Sequence, residues 1–454
     1  MINLVKKEEI NYEELGIKSD TKAFERYDEA GLLDHVSETF IGNYQEYWLH
    51  YYNKSVDPLT ATAFANLVGY DEYRVIPARL MNRTLIPFFN DKTIDEGYVD
   101  KNNYDLLIPT PQSVDTVIKC VRGNYFDGNN TMMKRDDVLQ TLLRFDELII
   151  KPSKSNNGRE INKLVNNHYS LNINDTPVSM DDIELMYNSD YTVEQVIQQH
   201  SNMAAPHPSS VNTLRMVTLR WDCSIHHLLT CAKFGSDGAI QDNAGQGGLW
   251  IGMNDDGFFM NTAMDEYALT YTHHPTTGFP FHELQPIPNF NEFIRFVKDA
   301  HQNIIHHDFV SWDIAVGIDG QPIFIEANFA GNTWLYQLAS QRPIFGELTE
   351  NILSYVSQSN KKYPVVSNYR RVKQYKQSIK KYKSDLSELK NALNKEQQQK
   401  RKYKRRYSKV KHDLLNAKND LHDAQQKLSS MKTSKSWRYT SPLRSIMQKT
   451  TKKD

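Results

Sequence analysis

Residues 372–431 repeat apolar or aromatic side chains in alternating steps of three and four, from Val372, Tyr375, Ile379 and Tyr382 through to Leu428 and Met431. Only Glu396 and Lys400 break the seam, and neither Gly nor Pro interrupts it. A strict 3.5-residue period predicts a left-handed coiled coil. Sixty residues at about 1.5 Å each make a rod of roughly 90 Å. Such a rod has no apolar partner within itself, so self-association or a partner coiled coil is expected. Upstream, short apolar runs of strand length dominate. Leu148–Lys151, Tyr191–Ile197 and Val211–Leu219 read as strands. Trp312–Asn328 reads as a hairpin turned by the two-residue loop Asp319-Gly320. A helix-like pattern from Ala61 to Leu85 assigns residues 1–94 to a helical lead-in.

The hairpin concentrates oxygen ligands. With Asp319 and Gly320 as its loop, Ile318 pairs with Gln321 and Asp313 lies directly opposite Glu326. Strand alternation then puts Asn328 on the face of Glu326. Hard oxygen donors of this kind suit Mg²⁺. The alternative is a surface hairpin with a polar face, but a buried Asp beside a Glu is repulsive without a cation. Three further runs carry single charged residues. Lys151 ends an apolar strand and is followed by Ser153 and a small polar loop that reaches Gly158, a pattern suited to phosphate or to a solvated rim. Glu194, Gln195, Val196 and Ile197 offer backbone edges to a flat ring. Arg215 sits within an apolar strand and needs an anionic partner.

Composition narrows the classes. The 454 residues are 39% hydrophobic and 11% aromatic, enough for a large core. Three cysteines exclude a disulfide scaffold. No apolar run follows Lys6 and Lys7, and no stretch of 18 apolar residues exists, so neither a secretory signal nor a membrane span is expected and the expected compartment is the cytoplasm. Residues 361–454 hold 28 Lys and Arg against 7 Asp and Glu, a balance of +21, while residues 1–360 hold 26 against 48, a balance of −22. The acidic body argues against nucleic acid. The basic helix suits a solvated face, or peripheral contact with an anionic membrane. A P-loop motif, H-E-x-x-H and G-x-S-x-G are all absent. Asn243–Gly248 does not open a helix after a strand, so it is not a dinucleotide fingerprint.

Taken in order, these runs resemble the ATP-grasp superfamily. The Lys-Pro-Ser loop and the spacing from Asp313 to Glu326-x-Asn328 resemble the D-alanine–D-alanine ligases. The closer resemblance is to the sugar-transfer-associated ATP-grasp proteins of bacterial polysaccharide loci, over roughly residues 95–355. Ser434–Arg444 resembles a short motif that follows coiled coils in polysaccharide glycosyltransferases. The resemblance implies an α/β (α+β) ATP-grasp fold that binds ATP and two Mg²⁺ ions. Lys101, from an Asp-Lys pair, and Lys151 would contact phosphates, with Ser153 beside them. Glu194–Ile197 would hold adenine, and Arg215 would act on the γ-phosphate or an acyl phosphate. Asp313, Glu326 and Asn328 would hold metal. His274–Gly278 and Asn243–Gly248 would lie near the substrate or γ-phosphate. Where many superfamily ligases place an Arg two residues before the metal Asp, this chain has Ser311, and no ribose-binding acid follows Glu194. The implied reaction joins a carboxylate to an amine or hydroxyl on a small molecule or glycan, through an acyl phosphate. A glycan kinase, or a nucleotide-binding scaffold tethering a glycosyltransferase, are the alternatives. The expected organisation is a lead-in at 1–94, an ATP-grasp domain at 95–358, a basic coiled coil at 361–432 and a flexible tail at 433–454.

Overall fold

Two antiparallel sheets organise residues 1–360, the first of two compact units; the second spans 361–454. The computed structural model describes residues 10–154, 160–167, 170–236, 248–359, 369–434 and 440. In chain order the described strands are β1 (Thr116–Val121), β2 (Asn124–Asp127), β3 (Met132–Met133), β4 (Glu147–Pro152), β5 (Asn162–Asn166), β6 (Leu171–Ile173), β7 (Thr176–Val178), β8 (Tyr191–Gln195), β9 (Thr213–Trp221), β10 (Ser224–Phe234), β11 (Leu249–Met253), β12 (Phe259–Met264), β13 (Thr270–Tyr271), β14 (Phe309–Val316) and β15 (Pro322–Asn328). One sheet runs β3-β2-β1-β8-β4-β5-β6-β7 and the other β13-β12-β11-β10-β9-β14-β15. Every ladder between these strands is antiparallel, which places the fold in the α+β branch of the expected class.

The second sheet is covered on both faces, which explains why β14 is buried along its whole length. Helix Phe290–Gln302 lays Phe290, Phe293, Val297 and Ala300 against Leu214, Met216, Trp312 and Ile314. Those helix positions recur at helical spacing, and the sheet positions alternate at period two, so both faces follow from the sequence. On the opposite face, Val217, Leu219 and Phe309 join one core with the N-terminal helices Lys22–Glu29, Glu38–Tyr52 and Leu59–Val68 and with helices Thr333–Ser340 and Thr349–Gln358. Thr21 and Ser37 cap the first two of these by accepting from Phe24 N–H and Phe40 N–H. Residues 22–89 therefore pack directly on the sheet. Gly252 lets helix Thr333–Ser340 approach, because a Cβ there would lie 2.5 Å from the Ala339 carbonyl oxygen. The same sheet face, further along β9 and β14, is left to Arg215 and Asp313.

His301 pins the back of this sheet. Its Nε2–H donates to the His307 carbonyl at 3.0 Å, so its Nδ1 accepts from the Thr218 hydroxyl at 2.8 Å, and that hydroxyl accepts from Trp312 Nε1–H. Burial pushes the His301 imidazole down to about 3 and the His307 imidazole down to about 4. Both folded values lie below the ordinary 6.5. Their contribution to stability is therefore fully present above about pH 6.5 and is lost as pH falls toward the folded values. Urea unfolding should show stability falling from pH 6.5 to 4. His301→Gln should reduce the slope by up to about 1.4 kcal/mol per pH unit; an unchanged slope would remove His301 from this role.

Among its described residues the second unit contains one helix, Tyr369–Thr433, of 65 residues. Its described apolar side chains from Ile379 to Met431 are 47–71% exposed. Of Ser434–Arg444, only Ser434 and Thr440 fall within the described residues. Among the described residues, no helix is long and apolar enough to cross a membrane.

Candidate nucleotide and metal site

Strands β9, β14 and β15 bring three charged side chains into one row. Arg215 pairs with Asp313 across β9–β14, and Asp313 pairs with Glu326 across β14–β15. The expected opposition of Asp313 and Glu326 is therefore present, but the expected turn is not. Val316 pairs with Pro322, and Gly317 N–H donates to the Gln321 carbonyl, so Ile318 and Gln321 do not form a ladder pair. Gly320, at φ 76°, supplies the left-handed position of this longer turn. A bulge at Ile325 on β15, where Phe324 to Glu326 span only Ile314 and Asp313 of β14, then restores the register. Two deviations cancel, and the acidic pair ends on one face with Asn328.

Asp313 is almost fully buried and is held by two cations. Arg215 donates from Nε at 2.6 Å and from Nη2 at 2.9 Å, and Lys233 Nζ lies 3.2 Å from Oδ1. Burial works against the charge, but Arg215 and Lys233 prevail and hold the carboxyl below its usual range. Arg215 also donates to the Tyr336 hydroxyl at 2.6 Å, and both cations lie near the face of Trp250. A Cβ on Gly331 would fall 2.4 Å from the Tyr336 hydroxyl, so that glycine keeps room for the phenol. Arg215 thus stands beside the acidic row from a neighbouring strand, in a chain with Ser311 two residues before Asp313. Lys233, Trp250 and Tyr336 escaped the sequence reading. Lys233 carries the same signal as Arg215, a lone cation inside an apolar strand; Tyr336 gives none, because only the fold brings its helix here.

The first sheet contributes Lys151 and Glu194 from adjacent strands β4 and β8, with Nζ 2.6 Å from Oε2 and both residues buried. Thr192 pairs with Lys151, and among the described residues its Oγ1 and the Ser153 Oγ are buried without a hydrogen-bond partner. Lys119, on the far side of Thr192, is committed to Asp105 and Asn130 at 2.8 Å each. Lys101 bridges the sheets. Its backbone N–H donates to the Ser153 carbonyl at 2.9 Å, and its Nζ lies 3.5 Å from Glu326 Oε1. Sequence positions 101, 151–153 and 326 are therefore neighbours.

The strand expected over Tyr191–Ile197 ends at Gln195. Val196 and Ile197 form a half-buried link, because the chain must leave the first sheet to reach the second. His200 N–H donates to the Val316 carbonyl, and Gln199 bridges to Gly317. Gln199 spends its side-chain amide on Ser210 and Asn212, so it is structural. His274 is buried, with Nε2 2.7 Å from the Gly235 carbonyl, at the start of the segment 237–247; that segment and Ser155–Arg159 lie outside the described residues.

The donor chemistry fits Mg²⁺. Among the described residues no three His, Cys, Asp or Glu side chains form a metal cluster; the set here is two carboxylates and a carboxamide. An ionised carboxylate offers about four lone-pair sites. Arg215 and Lys233 occupy about three at Asp313, and the Lys101 contact of Glu326 is long, at 3.5 Å. Among the described residues Asn328 Nδ2 is buried without a hydrogen-bond partner.

Lys151→Met tests the first-sheet half. It keeps the stem and removes the charge, so ATP affinity should fall by tenfold or more, about 1.4 kcal/mol. The Glu194 contact adds a second effect. A buried carboxylate loses its partner, and the nucleotide-free protein should lose roughly 3–5 kcal/mol. Calorimetric binding and urea unfolding read the two separately; unchanged ATP affinity would exclude Lys151 from the nucleotide site.

The sequence model described as sugar-transfer associated ATP-grasp matches residues 78–352. Similar solved structures include the VanG D-Ala:D-Ser ligase of Enterococcus faecalis, at 13% identity over 59% of this chain and 63% of that one, with a TM-score of 0.35. They also include the D-alanine–D-alanine ligase of Bacillus anthracis, at 10% identity over 59% of this chain and 70% of that one, with a TM-score of 0.30. A third is the biotin carboxylase domain of Hydrogenobacter thermophilus 2-oxoglutarate carboxylase, at 13% identity over 63% and 51%, with a TM-score of 0.36. The chain thus spans less than two thirds of the D-Ala:D-Ser ligase. No curated protein matches the chain significantly. With its family match covering more than half of its residues, and continuous across both sheets, the chain belongs to the sugar-transfer associated ATP-grasp family.

Proposed function

We propose that the protein is an ATP- and Mg²⁺-dependent ligase that joins a carboxylate to an amine through an acyl phosphate, acting on a cell-envelope or capsular polysaccharide or its precursor. The observation that carries this reading is Lys101, tied through its backbone to Ser153 beside Lys151 and through its side chain to Glu326. It sets two phosphate-suited lysines beside the acidic row. The family's association with sugar transfer supports the acceptor class, as does the Ser434–Arg444 motif.

Lys101 and Lys151 draw in the α- and β-phosphates, and the Val196–Ile197 link lines the adenine. Asp313, Glu326 and Asn328 would hold Mg²⁺, which supplies Lewis-acid neutralisation of the phosphate oxygens when bound. A substrate carboxylate oxygen attacks the γ-phosphorus, and the bond to the β-phosphate oxygen breaks to release ADP. Arg215, braced by Tyr336 and Trp250, and Lys233 neutralise the charge on the phosphoryl group in flight and on the acyl phosphate. The acceptor amine then attacks the acyl carbon, phosphate leaves, and the amine proton passes to phosphate or solvent. No side-chain nucleophile is needed.

ADP release and product mass, with defined carboxylates and with glycans bearing free amines, test the reading. ADP release that requires both reactants and yields an amide supports it. Phosphate retained on a glycan hydroxyl would make the protein a kinase, and ATP binding without turnover under either condition would make it a scaffold; either result overturns the ligase.

A further inference from the structure

We propose that the helix Tyr369–Thr433 pairs antiparallel with the same helix of a second copy of the chain, in the register that sets Glu396 of each copy against Lys400 of the other. The stripe that needs covering is fully formed: from Ile379 to Met431 its described apolar members stand about half or more exposed. Glu396 and Lys400 are the two seam positions that decide what can cover it.

A parallel, in-register pair stacks each seam residue on its own copy. Glu396 would meet Glu396 and Lys400 would meet Lys400, two like-charge contacts in adjacent layers of the seam. Tyr382, Tyr403 and Tyr407 would each meet an identical ring. The antiparallel pair reverses every one of these contacts. Once Glu396 faces Lys400, the rest of the register is fixed, because every layer then joins one position of the heptad to the other. Leu393 meets Tyr403, Leu389 meets Tyr407, Leu386 meets Val410, Tyr382 meets Leu414 and Ile379 meets Ala417. Each bulky ring faces an aliphatic side chain, and the two charges become a reciprocal ion pair at the twofold axis. Residue 369 of one chain lies beside residue 427 of the other, so about 59 residues overlap, roughly 88 Å of seam.

The flanks carry the cost. Lys383 faces Lys411 and Lys390 faces Lys404 across the antiparallel pair. The helix as a whole holds 20 Lys and Arg against 6 Asp and Glu, a balance of +14. These exposed charges repel and are screened within about 8–10 Å at physiological ionic strength, whereas the seam pair is shielded from solvent by its neighbours. The antiparallel dimer must therefore tighten as salt rises. An acidic partner protein or an anionic membrane would show the opposite trend.

Sedimentation of the full-length chain at 50 and 500 mM NaCl tests this. The expected result is a monomer–dimer equilibrium that is several-fold tighter at high salt. Lys400→Glu sets Glu against Glu twice and should weaken the dimer by tenfold or more, about 1.4 kcal/mol. Glu396→Lys combined with Lys400→Glu rebuilds both ion pairs with the same composition as the wild type, and should restore the dimer to within about threefold. That rescue separates pairing from any change in helix propensity. A monomer at both salt concentrations would overturn the proposal. So would a single swap without effect, a double swap without rescue, or a chain that stays monomeric yet binds phosphatidylserine vesicles at low salt.

Discussion

Glu326→Gln should abolish turnover, by on the order of 10³-fold, while ATP still binds with reduced affinity. The carboxylate faces Asp313 across the hairpin and lies 3.5 Å from Lys101 Nζ. A carboxamide keeps the shape and one oxygen but not the charge, and divalent metal held between carboxylates and phosphates depends on that charge. ADP release measured across a Mg²⁺ titration, beside calorimetric ATP binding, separates the two effects. A variant that turns over normally at ordinary Mg²⁺ would mean the acidic row is not the metal site.

Asp313→Asn should be costly in a different way, removing both activity and roughly 3–5 kcal/mol of stability. Lys233 is buried, the Arg215 side chain is only 12% exposed, and both converge on this one carboxylate. Neutralising it strands two cations in an interior that already disfavours charge. Replacing Arg215 with Met in the same chain removes one stranded cation, so the double variant should recover part of the loss, and the cycle should show a coupling of 1 kcal/mol or more. The folded carboxyl lies below its ordinary value, so this stability is present above the unfolded Asp range near pH 4 and fades as pH falls below it. Urea unfolding of the four proteins at pH 7 gives the result; additive effects would show that Asp313 and Arg215 are not a unit.

Legibility of the site tracked how local its cause was. Lys151 and Arg215 stand out because a lone cation in an apolar strand demands an anion, and each has one, Glu194 and Asp313. The opposition of Asp313 and Glu326 followed from strand periodicity, yet the expected two-residue loop does not form. The bulge at Ile325 that restores the register has no sequence signal of its own, because an extra residue in a strand looks like any other. The strand over 191–197 was drawn too long for a related reason: apolar alternation continues through Val196 and Ile197, while the pairing partner ends. Tyr336 and the packing of residues 22–89 on β9 and β14 depend on contacts between segments hundreds of residues apart. No window of sequence contains those contacts.

The Lys101–Glu326 and Arg215–Asp313 contacts have a kinetic consequence on the proposed reaction. Four cations, Lys101, Lys151, Arg215 and Lys233, stand in ion pairs with three carboxylates, Glu194, Asp313 and Glu326, leaving a balance of only +1. A free phosphate ester finds little unspent positive charge, and a bare divalent ion meets carboxylates that already face cations. Each ligand alone must break ion pairs without compensating both halves. When the two arrive as one complex, the phosphates take the lysines while the ion takes the carboxylates, and every partner given up is replaced in the same event. The resting site thus behaves as a lock with two tumblers, responsive to the metal–nucleotide pair rather than to either half alone.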